Sequence, residues 1–274
     1  MPLGTDDRPT WAAPPRRRKL SPPARRRLVA LAVLVVVGAP AFLIGGRYWV
    51  GHVGLDDAVA RFRAAGPAAA RPAAAGLPAP GVYQYRTTGG ERISFLDYHR
   101  AYSSTTMRIV TGHGCGVREQ QWFLIQHVEY YDRCPDGSLA SYGTDIAYWW
   151  THGTQDFRCD AGGSFDMVGH APGDRVRWLC RDEDTRAEQV TEYVGDEDVT
   201  VAGQTLRARH TRWVTTFSGA TKGTATVDDW FHPGAGLVLR ERREIGLRVG
   251  SPFVGQVGYT DHSEFTVLSV EPVR

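Results

Sequence analysis

Four cysteines are the reactive residues that say most about this 274-residue chain. Cys115, Cys134, Cys159 and Cys180 all follow residue 114, and no CxxC motif joins two of them. An even number of cysteines confined to one region is typical of disulfides formed in an oxidising compartment. Three pairings are open; the sequential one, Cys115 with Cys134 and Cys159 with Cys180, closes loops of about 20 residues. We predict two structural disulfides rather than a redox pair, a zinc site or a cysteine nucleophile.

Acidic residues form three clusters beside turn signals, at Asp182-Glu183-Asp184, Asp196-Glu197-Asp198 and Asp228-Asp229. Two carboxyl groups can act as an acid and a base when one of them is desolvated. Charged residues are seldom buried, so we expect these clusters to be solvated surface charge. We keep an extracytoplasmic hydrolase that uses these carboxylates as the alternative to a non-enzymatic function.

Histidines and sequence motifs add no catalytic site. The nine histidines are scattered singly, and His127 and His210 fall within predicted strands, where a hydrogen-bonded or surface histidine is expected. His152 follows Trp149-Trp150 and could lie near a pocket. The chain has no GxSxG elbow, HExxH motif, P-loop or dinucleotide fingerprint. The sequence therefore indicates no catalytic residue, no cofactor and no metal ligand.

Aromatic residues recur in the predicted strands, and Trp178, Trp213 and Trp230 are the candidates for lining a ligand site. One interpretation is that they fill a core and pair across strands. The other is that they line the concave face of a curved sheet that binds an apolar ligand such as a lipid chain. The alternation of side chains does not decide between the two.

Residues 81–274 read as an antiparallel β domain. Gly-, Pro- and Asp-containing turns, among them Gly89-Gly90, separate its apolar runs, and no Gly-rich strand-to-helix turn or long helical pattern intervenes. We predict a mainly β fold, a curled sheet or a half or closed barrel, with a two-sheet sandwich as the structural alternative. The predicted strands are Val82–Thr87, Glu91–Leu96, Thr105–Thr111, Gln120–Tyr131, Ser138–Trp150, Arg175–Cys180, Gln189–Val194, Thr205–Phe217, Gly223–Phe231, Leu237–Ile245 and Gln256–Val270.

An uncharged stretch at residues 28–46 predicts a transmembrane helix, because a helix of 19 residues spans roughly 28 Å. Residues 1–27 before it carry eight Lys or Arg and two Asp. Positive residues beside a membrane span stay on the cytoplasmic side. We therefore predict a single-pass protein with a basic cytoplasmic tail and an extracytoplasmic main domain, whose partner is the lipid bilayer.

Other interpretations of the N-terminal region are weaker. Basic residues between prolines could form a nucleic-acid arm, but next to an apolar span they are better explained by membrane insertion and anionic lipid, so we expect no nucleic-acid partner. Ala39-Pro40-Ala41 has the form of a signal-peptide cleavage site. The apolar run continues beyond that site, which favours an uncleaved anchor. A buried helix of a globular protein is excluded because the stretch is apolar on all sides.

Residues 47–80 connect the predicted membrane helix to the β domain. Residues 55–65 predict a short amphipathic helix, with Asp56 and Asp57 in its first turn. The Ala- and Pro-rich sequence at residues 67–81 predicts a semi-extended spacer.

Several segments together resemble a known type of protein: PGVYQYRTTGGERISFL at 80–96, GCGVREQQW at 114–122, YYDRCPDGSL at 130–139 and WFHPGAGLVLRER at 230–242. With the anchor and spacer, they look like uncharacterised single-span extracytoplasmic proteins of high-GC Gram-positive bacteria. The segment VTVAGQTLRARHTRW at 199–213, with the strands after it, is similar to the half-barrel lipid carriers of the LolA and LppX group. The first resemblance implies the layout of the chain, and the second implies a lipid-binding sheet.

The sequence therefore predicts a membrane-anchored, non-enzymatic protein that binds a hydrophobic envelope component or interacts with other envelope molecules. We expect thiol-specific labelling of intact cells to find Cys115, Cys134, Cys159 and Cys180 oxidised, and accessible from outside once they are reduced. Four reduced cysteines that are shielded behind the membrane would contradict both the topology and the disulfides.

Overall fold

A computed structural model of the chain describes residues 50–70, 74–148, 151–160, 163, 166–251 and 255–274. The predicted basic tail, the predicted membrane helix at 28–46 and the Trp149-Trp150 pair lie outside these residues, so the predictions about them stay predictions. Within the described part of the chain, no helix combines the length and the apolar composition needed to cross a bilayer.

The described residues form one α-helix, a short 3₁₀ turn at Phe95–Asp97 and thirteen strands. The helix, α1, covers Leu55–Ala64. The strands are β1 Gly81–Ile93, β2 Tyr98–Ala101, β3 Thr105–His113, β4 Gly116–Leu124, β5 His127–Arg133, β6 Leu139–Tyr148, β7 Thr151–Cys159, β8 Arg175–Arg181, β9 Thr185–Val201, β10 Gln204–Gly219, β11 Lys222–His232, β12 Leu237–Ser251 and β13 Gly255–Val267.

The strands form one antiparallel sheet that closes on itself. From β3 to β13 each strand pairs with the next along the chain. β1 closes the sheet, because its residues 81–86 pair with β3 and its residues 85–93 pair with β13 on the opposite edge. β2 pairs with the far end of β1 on the same edge as β3. The result is a twelve-stranded closed barrel, which confirms the predicted mainly β antiparallel class and excludes the sandwich.

The predicted break at Gly89-Gly90 is wrong, because β1 runs straight through both glycines. At Gly89 a Cβ atom would collide with the backbone of His262, and at Gly90 with the backbone of Arg100. These glycines therefore allow neighbouring backbones to approach closely inside a continuous strand. The predicted single strand Gln120–Tyr131 is also wrong: it is two strands joined by a turn at residues 125–126, which contains neither Gly nor Pro.

The segment before β1 packs against the barrel. Ala58, Val59 and Phe62 of α1 are buried in one cluster with Val82 of β1 and Met107 of β3. Further along, Leu77 of the predicted spacer is buried in the apolar cluster at one end of the barrel. These contacts show that part of residues 47–80 belongs to the folded body.

Both predicted disulfides are present in the sequential pairing. Cys115, in the turn between β3 and β4, bonds Cys134, which directly follows β5. Cys159 bonds Cys180 directly across β7 and β8, with a Cα–Cα distance of 4.0 Å. Only two residue pairs join β7 to β8 in the described residues, Arg158 with Arg181 and the two cysteines themselves. The second disulfide therefore holds the shortest strand pairing of the closed sheet.

We expect the Cys159→Ser/Cys180→Ser variant to lose more stability than Cys115→Ser/Cys134→Ser. The two loops have similar lengths, so chain entropy gives about 3 kcal/mol for either disulfide. Loss of the Cys159–Cys180 bond also removes the covalent link across the short β7–β8 pairing, which we call the seam. Urea unfolding followed by tryptophan fluorescence measures the difference. An equal or larger loss in the Cys115–Cys134 variant would contradict the role assigned to the seam.

Candidate functional site

The side chains inside the barrel change from apolar to charged and back to apolar along its axis. The inner face of β12 shows the order of these layers. Alternate residues of a strand share one face. On the inner face of β12, Leu239 belongs to the apolar cluster at the base, which also contains Leu77. Glu241 and Arg243 come next, and both are buried. Ile245 and Leu247 follow toward the other end, in a second apolar cluster. A charged layer therefore separates two apolar regions.

The charged layer is a network of buried or nearly buried side chains, connected by ion pairs except at Asp229. It links side chains from β1 to β5 with side chains from β11 to β13 across the barrel. Burying an unpaired charge is costly, so such a layer is stable only when its members pair with one another. Among the described residues its members are Glu91, Arg100, Arg108, Glu119, His127, Glu129, Arg133, Asp229, Glu241, Arg243 and Asp261.

His127 occupies one side of this layer and is fully buried. Its Nδ1 lies 2.9 Å from Glu91 Oε2, and its Nε2 lies 3.5 Å from Glu129 Oε1. Burial alone would lower the pKa of His127, but the two carboxylates raise it to about 9. Glu91 is also held by Arg100 and by the Tyr259 hydroxyl, and Glu129 by Arg243 Nη2 at 2.7 Å. The imidazole is therefore a cation at neutral pH. The sequence-based expectation of a hydrogen-bonded strand histidine is refined to an ion-paired one.

Arg108 binds the other side of the network together. Its guanidinium donates to Gln121 Oε1 at 2.9 Å, to Glu119 Oε2 at 3.3 Å and to Glu241 Oε2 at 3.1 Å. It also stacks over the ring of Tyr85, 4.7 Å from the centroid. Arg133 donates to the second oxygen of Glu119 at 2.6 Å. Glu119 is thus satisfied by two arginines, and Glu241 is committed to Arg108.

A cavity of about 330 Å³ lies above the charged layer; we call it the chamber. Its floor includes Arg108, Glu129, Asp229, Glu241 and Arg243. Its wall also contains Thr144, Gln155, Gln189 and Thr215 but is mainly apolar and aromatic, and includes Ile93, Tyr131, Tyr142, Ile146, Tyr148, Phe157, Trp213, Phe217, Ala225, Val227, Ile245, Leu247, Val249, Val257 and Tyr259. It opens where β6 meets β7 and β12 meets β13, since the exposed residues His152 and Gly250 belong to its lining. This size and lining are typical of a site for a small apolar molecule.

Asp229 is the carboxyl group of the floor without a cationic partner. It is 3% exposed, and its Oδ1 accepts no hydrogen bond from the described residues. Desolvation and the neighbouring Glu241 raise its pKa well above the ordinary value. Its strand neighbours are Thr211 on one side and Glu241 on the other. Among the described residues the network as a whole contains six carboxyl groups and five cationic groups, and burial raises the pKa of Asp261 as well as that of Asp229.

The expectation that the Asp228-Asp229 cluster is solvated surface charge is wrong. Both residues lie inside β11, and both are buried. Asp228 faces the opposite side of the sheet from Asp229, where His210, Arg212 and Arg242 bind it and lower its pKa despite its burial. The Asp182-Glu183-Asp184 cluster does lie at a turn, between β8 and β9.

The three candidate tryptophans are not brought together on one surface. Trp213 lines the chamber. Trp178 packs edge-to-face behind it, with ring centroids 6.0 Å apart, and donates to Thr191. Trp230 follows Asp229 in a regular strand, so it faces away from the chamber. There its ring stacks on His210 at 4.4 Å, and its Nε1 donates to Glu197.

Sequence reasoning missed the floor of the chamber. Glu241 and Arg243 alternate with Arg240 and Arg242, so both faces of β12 carry charge and the pattern does not distinguish inside from outside. The sequence did contain one indication of the inner face. Leu239 and Ile245 share a face of β12 with the two charged residues between them, Glu241 and Arg243. In the described part of the chain, no group of three His, Cys, Asp or Glu residues has a geometry for a metal ion.

Comparisons with known proteins leave the family open. No protein-family model matches the chain, and no curated protein matches it. Similar solved structures include the hypothetical lipoprotein YmcC of Escherichia coli, with 12% identity, a TM-score of 0.37 and coverage of 71% of this chain and 86% of that one. A protein provisionally described as exported, with a YmcC-like fold, from Bacteroides fragilis has 11% identity, a TM-score of 0.31 and coverage of 74% and 98%. Scores at this level assign neither family nor function, and the two resemblances stated above stay predictions.

The His127 ion pairs predict a stability that depends on pH. The pKa of about 9 in the folded state exceeds the ordinary value of 6.5, so the contribution is complete below about 6.5 and is lost as pH rises through about 9. We expect the free energy of unfolding to fall by about 3 kcal/mol between these limits. Urea titrations at a series of pH values measure it.

The matched variants for this prediction are His127→Gln, which removes the buried cation, and His152→Gln at the exposed rim. The pH dependence should flatten in the first and persist in the second. A wild-type stability that is constant or rises over this window would contradict the ion-paired assignment.

Proposed function

We propose that this protein is a membrane-anchored extracytoplasmic binding protein that holds the apolar chain of an envelope component in its barrel chamber. The observation that carries the proposal is the chamber itself, about 330 Å³ with an apolar, aromatic wall. Apolar ligands gain free energy in proportion to the apolar surface that they remove from water. A packed structural core would not need such a volume next to Trp213 and Phe217.

The charged layer supports a ligand with two different ends. An apolar chain that reached the floor would leave the buried carboxyl group of Asp229 without a hydrogen-bond partner for Oδ1, which is costly. A polar end at the floor, with the chain against the wall above, avoids this cost. The favoured ligand is therefore an amphiphile rather than a pure hydrocarbon.

Two features support the proposed location. The cysteines are paired in two disulfides, as in proteins of oxidising compartments. The uncharged residues 28–46, with a basic tail before them, fit an anchor with the tail in the cytoplasm. In this layout the chamber belongs to the part of the chain outside the membrane.

A second candidate function is the hydrolase. Asp229 and Glu241 are register neighbours on the chamber floor, and Asp229 has a raised pKa, as expected of a general acid. However, Glu241 is bound by Arg108 at 3.1 Å, which leaves a single carboxyl group available for proton transfer. Turnover of a long-chain ester that is lost in Asp229→Asn would favour the hydrolase over the binding protein.

We expect an uncharged photoreactive probe, lauryl alcohol with a terminal diazirine, to crosslink inside the chamber of the full-length protein in membranes. Peptide mapping should place the adduct on wall residues such as Trp213, Phe217 or Ile245. The variant Ala225→Trp inserts an indole from the wall into the chamber and should reduce crosslinking by about tenfold or more, because it removes the volume that the chain occupies.

The control is Thr226→Trp, which places the same side chain on the opposite face of β11. It should crosslink as the wild type does, with thermal unfolding curves confirming that both variants fold. Adducts spread over the outer surface, or equal yields in the two variants, would overturn the proposal.

A further inference from the structure

The chamber floor contains one carboxyl group more than its cations can pair. Glu241 is bound by Arg108, and Glu129 by Arg243 and His127. Asp229 lies beside Glu241 in register, is 3% exposed, and has an Oδ1 without a hydrogen-bond partner among the described residues. Buried polar atoms are nearly always hydrogen-bonded, so a carboxyl group that lines the chamber and has an unpartnered oxygen indicates a contact with the ligand.

We propose that Asp229 binds the polar end of the ligand, and that this end is a cationic hydrogen-bond donor, an ammonium group on a single apolar chain. This inference rests on the proposed function and names the chemical class of its ligand. It also sets the orientation, with the ammonium group at the floor and the chain directed toward the rim at Leu247 and Val249.

Charge balance favours a cationic end over an anionic one. Burial and the neighbouring Glu241 raise the pKa of Asp229, which favours its neutral form when no cation faces it. An ammonium group lets Asp229 ionise and forms a buried, charge-assisted hydrogen bond, which is stronger than a neutral one. A carboxylate end would instead place a second negative charge beside Glu241, in a layer whose arginines are already paired.

The nearest side chains suit a cation as well. Thr211, the register neighbour of Asp229 on β10, has a hydroxyl that accepts a hydrogen bond from Trp213 Nε1 at 3.3 Å and so holds the indole near Asp229. Trp213, two residues further along β10 on the same face, is a diagonal neighbour of Asp229 and lines the chamber. Indole faces attract ammonium groups within about 6 Å. Arg108 and Arg243, which would repel a cation, are held by Glu241 and Glu129.

The test is competition against the diazirine-tagged lauryl alcohol in membranes that contain the full-length protein. The competitors are laurylamine, lauryl alcohol and lauric acid, which share one chain, with their bilayer concentrations measured directly. We expect laurylamine to displace the probe at about a tenfold lower concentration than lauryl alcohol, because a charged hydrogen bond replaces a neutral one. Lauric acid should be the weakest competitor.

Asp229→Asn keeps the shape of the side chain and removes its ability to ionise. In this variant laurylamine should lose its advantage, so that laurylamine and lauryl alcohol compete within about twofold of each other. Glu264→Gln makes the same chemical change on the outer face, at a residue paired with Arg240, and should retain the preference for the amine.

The outcomes separate the two proposals. Three outcomes would overturn the ammonium assignment and leave chain binding in place. They are equal competition by laurylamine, lauryl alcohol and lauric acid in the wild type, a preference for lauric acid, and a preference for laurylamine that persists in Asp229→Asn. A probe that no competitor displaces from the wild type overturns the binding function and this inference together.

Discussion

The buried ion-pair layer is the interaction on which the rest of the structure depends. Closing twelve strands produces an interior wider than one layer of side chains from each wall can fill with apolar groups alone. Long charged side chains such as Arg108 and Arg243 reach across it and bind carboxylates from opposite strands. Such pairs are tolerated only when they are complete, because one missing partner leaves an uncompensated buried charge. The network therefore specifies how the two halves of the barrel meet.

The same layer gives the barrel two unlike compartments. Below it, Leu239 and the surrounding apolar residues are buried in one cluster, and Leu77 from the segment before β1 helps to fill the base. Above it, the aromatic wall encloses the chamber. Asp229 lies on the boundary between the charged layer and the chamber, and no arginine among the described residues pairs with it there. The proposed charge of the ligand's polar end thus follows from the excess of carboxyl groups over cationic groups in the charged layer, and not from a separate sequence motif.

The sequence was informative where a local rule applies and silent where the answer depends on distant strands. The even set of cysteines and the strand-and-turn pattern were enough to predict the disulfides and an antiparallel β fold. Gly89-Gly90 was misread because a close backbone approach and a turn both require glycine. Asp229 was misread because its burial comes from strands far from it in the chain. Closure by β1 against β13 is also non-local, so the barrel and the sandwich could not be separated beforehand.

The most direct test of the account is native mass spectrometry of the full-length protein released from its own membranes. The account predicts a single bound amphiphile per chain, of constant mass and with an ionisable nitrogen, which is absent from the Ala225→Trp variant. A wild-type chain that carries no adduct, or adducts that are equally abundant on wild type and variant, would contradict the claim that the chamber is a ligand site.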